Sequence, residues 1–170
     1  MLNSMDNHRK GETNAGILVL GIGNLLMGDE GVGVHFADRL LKESLPPDVE
    51  VLDGGTAGIQ LMEVIESHRH VLIVDATLDG LPAGTIREIK PRFSSDYPSA
   101  MSTHDIGLKD LISGLTLLGL QPEIFLFVVS IDKVQPLEIG LSPEVDAALG
   151  DLKEKVFHRI EKIRLGNSGG

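Results

Sequence analysis

The chain has 170 residues, enough for one domain of ordinary size. Its composition, 42% hydrophobic and 24% charged, is that of a globular protein rather than a disordered one. The formal net charge of −10 argues against a nucleic-acid partner, which needs a basic face, and the absence of cysteine removes disulfides, thiolate metal sites and a cysteine nucleophile.

In chain order, Met1–Gly16 is polar and lacks the apolar core of a signal peptide. We expect residues 1–15 to be a flexible leader, 16–165 a single domain and 166–170 a flexible tail. No apolar run approaches the roughly 20 residues that span a bilayer, so the expected location is the cytoplasm. Ile17–Leu20 is wholly apolar, as a buried parallel strand is. Gly31–Leu45 has helical spacing, with Val32, Phe36 and Leu40 on one row and Ala37, Leu41 and Leu45 on the next, and Pro46-Pro47 ends it. Val49–Leu52 predicts a second strand, Gly58–Ser67 a helix with Ile59, Met62 and Ile65 inward, and Val71–Val74 a third strand. Gly84–Lys90 alternates and is expected at a sheet edge. Gly107–Leu118 predicts a helix, and Glu123–Ile131 a central strand. Ser142-Pro143-Glu144 opens the last helix, with an N-cap, proline at the first position and acid in the first turn; that helix is expected to run to about Ile163. The alternation implies a three-layer α/β sandwich, a mostly parallel, twisted five-stranded sheet with helices on both faces.

In such a sheet the functional crevice lies beyond the carboxyl ends of the strands. Asn24, Glu30, Asp53 and Asp75 follow strands, and His104 lies in a loop that can reach the same edge. If Glu30, Asp75 and His104 converge, they offer two carboxylates and an imidazole to one divalent transition metal. Each has a plainer alternative. Asp29 and Glu30 are also suited to a helix N-terminus, Asp53 and Asp75 to turns, and a lone loop histidine to the surface. His35, His68, His70 and His158 read as surface or structural. The first loop lacks the third glycine of a dinucleotide fingerprint and the lysine of a phosphate loop. G-x-S-x-G and His-Glu-x-x-His are also absent.

Taken together, Gly21-Ile22-Gly23-Asn24, Asp29-Glu30-Gly31-Val32-Gly33, Asp53-Gly54-Gly55-Thr56, Ile73-Val74-Asp75-Ala76 and Ser102-Thr103-His104 resemble, in order and spacing, the segments of the endopeptidases that mature [NiFe] hydrogenases. The likeness covers roughly Ile17 to Ile163 and implies a phosphorylase/hydrolase-like fold. It also implies an aspartic-type or metal-dependent endopeptidase that removes the C-terminal extension of a nickel-loaded hydrogenase large-subunit precursor. By this resemblance Glu30, Asp75 and His104 contact metal, and Glu30, Asp53 and Asp75 take part in cleavage, with Asp53 assisting cleavage or client recognition. The metal is nickel supplied by the client, with zinc or cadmium as substitute ions. Asn24 and the glycines shape the loop, and Pro91–Met101 is either a client-binding flap or a long connection. The alternatives are a non-enzymatic metal-sensing or chaperone-like module on the same fold, and a nucleotide-processing α/β enzyme.

Overall fold

The computed structural model describes residues 14–91, 96, 112–120 and 122–167. Strands β1 (Asn14–Ile22), β2 (Val49–Gly55), β3 (His68–Thr77), β4 (Ile86–Ile89) and β5 (Glu123–Ser130) form one sheet in the order β2-β1-β3-β5-β4. All neighbours are parallel except β4, which runs antiparallel to β5 at one edge. The helices are α1 (Val32–Leu40), α2 (Met62–Glu66), α3 (112–117) and α4 (Pro143–Asn167).

Strand parity sorts the core into two layers. Ile17, Val19, Leu72, Val74, Phe125 and Phe127 face α1 and α4, while Leu18, Leu20, Val71, Ile73, Leu126 and Val128 face α2 and α3. Because β1 and β3 are covered on both sides, every residue of their apolar runs is buried, and alternation gives way to a continuous apolar string. α4 buries Val145, Leu149, Leu152, Val156, Ile160 and Ile163, a stripe at three- and four-residue steps. Full burial of each such side chain stabilises the fold by about 1.5–3 kcal/mol.

The sheet order creates a switch point. From β1 the chain passes through α1 to β2, and from β2 it returns through α2, on the other face, to β3 on the far side of β1. From the carboxyl end of β1 the chain thus leaves toward β2, and from that of β3 toward β4 and β5 on the opposite side, so a crevice for chemistry opens between these two strand ends.

Several boundaries differ from the sequence reading. β3 begins at His68, so His68 and His70 lie inside the strand and are buried rather than flanking it. Each has an acidic neighbour: His68 Nε2 lies 3.1 Å from Glu50 Oε2, and His70 Nδ1 lies 3.0 Å from Glu123 Oε2. α1 ends at Leu40, and the chain continues as turns through Glu43. The second helical segment opens as a 3-10 turn, Ile59–Leu61, that buries Leu61. The middle strand is β3, and β5 lies between it and the antiparallel edge. No helix among the described residues is long and apolar enough to cross a membrane.

Candidate active site

The loop after β1 is shaped by its own polar groups. Asn24 Oδ1 accepts the Leu26 amide at 3.0 Å, and its carbonyl accepts the Met27 amide at 3.0 Å, so Asn24 turns the chain out of the strand. A 3-10 turn, Gly28–Gly31, then delivers Glu30 and leads into α1. This turn packs directly on the sheet. A side chain at Gly23 would meet the Glu30 carbonyl oxygen at 2.1 Å, and one at Gly33 would meet the carbonyl oxygens of Ile22 and Val74, both at 2.3 Å. The glycines of this loop thus allow backbone to sit on backbone at the carboxyl ends of β1 and β3.

Glu30 and Asp75 are both wholly buried at that place. Asp75 lies within β3, one residue past the Gly21–Val74 pairing and opposite Val128 of β5, on the face that α2 and α3 cover. Its Oδ1 accepts the Ala76 amide at 2.8 Å. The sequence reading put Asp75 just past a strand; the strand instead continues to Thr77 and buries it. Glu30 arrives from the α1 side, through the turn that contacts β3. The turn that carries Glu30 thus packs on the strand that carries Asp75.

Asp53 reaches the same sheet edge but not the same place. It pairs with Gly21, which in turn pairs with Val74, so two inter-strand spacings, about 10 Å, separate its backbone from β3. Gly54 lies against Leu20 and Leu61 in the α2 layer, so by parity Asp53 belongs to the opposite face from Asp75. Asp53 is exposed, and its Oδ1 accepts the Gly55 amide at 2.8 Å, closing its own turn. His104, the Ser102–Asp105 segment and most of the Pro91–Met101 loop lie outside the described residues. Among the described residues no three His, Asp or Glu side chains come together as a metal-binding set.

Asp29 does something the sequence did not reveal. Its side chain makes no helix cap. One carboxylate oxygen accepts Gln135 Nε2 at 2.8 Å and the other accepts the Ser142 amide at 2.6 Å, while the Asp29 amide donates to Gln135 Oε1 at 3.0 Å. Ser142 immediately precedes α4, and its carbonyl accepts the Asp146 amide at 2.8 Å, so Asp29 lays a negative charge on the positive end of the last helix. Backbone bonds extend the tie: the Gly28 amide donates to the Glu138 carbonyl at 2.9 Å, and the Leu137 amide to the Leu26 carbonyl at 2.7 Å. The Glu30 turn is thus clamped to the segment joining β5 and α4. A cavity of about 480 Å³ opens beside this clamp, lined by Asp29, Leu81, Asp132, Lys133, Gln135 and Ser142 among others. Near its rim, burial would raise the Asp79 carboxyl, but hydrogen bonds from the Leu81 amide and Ser130 hydroxyl, with the Arg87 guanidinium, outweigh it and hold it below the usual carboxylate range.

Comparisons with known proteins agree on one kind of protein. A family model described as hydrogenase maturation protease matches residues 34–159. Hydrogenase 2 maturation protease of Escherichia coli is 36% identical over 149 residues, covering 86% of this chain and 91% of that protein. The hydrogenase expression/formation protein HupD of Thiocapsa roseopersicina is 35% identical, over 85% of this chain and 62% of its own length. Among solved structures, the hydrogenase maturating endopeptidase HybD from E. coli aligns with a TM-score of 0.80 at 34% identity, covering 86% of this chain and 93% of that one. The [NiFe] hydrogenase maturation protease HybD from Thermococcus kodakarensis aligns at 0.65 and 26% identity, over 83% and 98%.

Proposed function

Because the chain belongs to the hydrogenase maturation protease family, we propose that it cleaves the C-terminal extension from the large-subunit precursor of a [NiFe] hydrogenase after nickel has been inserted. The observation that carries this reading is the full burial of two carboxylates in one region, Asp75 within β3 and Glu30 in the turn that packs on the carboxyl ends of β1 and β3. Burying a carboxylate is costly unless it is paired and hydrogen-bonded, and a core built for packing alone would place apolar residues there.

In this reading nickel is part of the substrate. It enters with the precursor, and Glu30 and Asp75 offer it oxygen donors, with His104 offering an imidazole. The same donors suit zinc or cadmium as substitutes. Hydrolysis adds water across the scissile peptide bond: one carboxylate takes a proton from water, the hydroxide bonds to the carbonyl carbon, the C–N bond breaks, and the departing nitrogen takes up the proton. Asp53, exposed and on the other face of the sheet, is assigned to holding the client rather than to bond cleavage. A cytoplasmic location belongs to the same proposal.

The test follows the intact mass of a nickel-loaded precursor mixed with the purified protein. Loss of one C-terminal peptide, absent with Glu30→Gln, is the expected result. Stable binding without any mass change would favour a chaperone-like module. Equal processing of nickel-free precursor would remove nickel from the recognition step.

A further inference from the structure

We propose that the apolar ridge formed by Leu25, Leu26, Leu137 and Ile139 is the surface on which the precursor docks, and that it receives an apolar segment of the large subunit. The proposal rests on the protease reading above. Leu26 is 53% exposed, Leu137 88% and Ile139 76%. They are far apart in sequence but adjacent in the fold, because the Leu137 amide bonds to the Leu26 carbonyl and Met27 bridges to Glu138.

Leu137 is the most telling residue of the ridge. Its φ of 63° puts it in the left-handed region, and no other described non-glycine residue has a positive φ. Glycine or asparagine would adopt that conformation more readily, and a polar side chain would suit its exposure better. Leucine is unfavourable on both counts, and neither local geometry nor core packing accounts for it. Backbone outliers of this kind concentrate where a ligand or partner is handled.

Position identifies the partner. The ridge belongs to the two loops that hold the Glu30 turn: Leu26 lies four residues before Glu30, and Leu137 two residues after Gln135, which Asp29 grips. Anything seated on the ridge therefore lies against the loops that hold the Glu30 turn. A net charge of −10 repels nucleic acid and anionic lipid, which leaves a protein as the occupant. For a processing enzyme, the protein that must approach the turn bearing a site carboxylate is its substrate.

The experiment compares wild type with Leu137→Asn/Ile139→Gln, in which asparagine keeps the left-handed turn, and with Leu26→Gln/Ile139→Gln as an independent pair. Binding of full-length nickel-loaded precursor is measured by calorimetry in a Glu30→Gln background, and processing rates are measured without that substitution. Both pairs should unfold at the wild-type midpoint, bind at least tenfold more weakly and lose at least tenfold in kcat/KM through KM. Unchanged Kd and KM in both pairs, with wild type still cleaving, would overturn the docking surface and leave the protease reading standing. A fall in kcat alone would also overturn it. Wild type that neither binds nor cleaves would overturn both.

Discussion

Two buried carboxylates on one strand end differ in what each atom does. Asp75 Oδ1 accepts the Ala76 amide, a duty that an asparagine oxygen can perform equally well. Asp75→Asn should therefore keep stability to within about 1 kcal/mol while abolishing precursor processing. Asp75→Ala strips the acceptor from a buried amide and should cost about 1–3 kcal/mol more in urea unfolding. If Asp75→Asn unfolds as readily as Asp75→Ala, the residue is structural and the site assignment fails. Glu30 and Asp75 stood out as candidates in the sequence because each comes after an apolar run that reads as a strand, within segments that resemble the family's. Three other properties were illegible there. The face on which Asp53 lies depends on strand register, which pairs it with Gly21. The partners of Asp29 lie more than a hundred residues away, and no local pattern announces a glutamine in a loop as the other half of a clamp. The burial of Asp75 depended on where β3 ends.

Among the elements, the tightest junction is that between α1 and the strands beneath it. Gly33 lies between the carbonyl oxygens of Ile22 and Val74, and a side chain at Gly21 would meet the Gly33 carbonyl oxygen at 2.0 Å. Gly33→Ala must push α1 off both strands, so we expect a loss of about 3 kcal/mol or more, at the upper end of overpacking costs, with activity falling in parallel because the Glu30 turn moves too. A variant of wild-type stability, measured by urea unfolding, would contradict this packing. β1, β3 and β5 were readable as strands because burial on both faces leaves an unbroken apolar run, and β4 was readable as an edge from its alternation. The amino end of β3 was hidden, since its histidines look like loop residues until the sheet brings Glu50, from β2 beyond β1, and Glu123, from adjacent β5, beside them. The 3-10 opening before α2 carries no distinct sequence signal, as it uses the same apolar spacing as a helix.

Across the molecule, acid should act in two stages. Burial, with the Arg39 charge, holds the His35 imidazole below its ordinary value, so the neutral form is favoured in the fold. Asp38 and Asp146 oppose this without reversing it. The contribution is complete above the unfolded value of about 6.5 and is lost as pH falls through the lower folded value. Glu123 is held low by its hydrogen bond from Lys90, against burial, with further help from the Lys90 charge and His70; Asp79 is held low as described. These carboxylates contribute above about pH 4 and lose that contribution as pH drops further, through their depressed folded values. A urea midpoint followed from pH 8 downward should fall first below about 6.5 and again below about 4. His35→Gln should flatten the first decline and leave the second.

The clamp between Asp29 and the β5–α4 connection also has a bearing on how the protein is made. Translation delivers β1 and the Glu30 turn early, but Gln135 and the Ser142 amide only much later. A growing polypeptide that stops short of Gln135 has Glu30 and Asp75 but not the brace that sets the Glu30 turn. The turn is fixed in place only when the start of the last helix has been made.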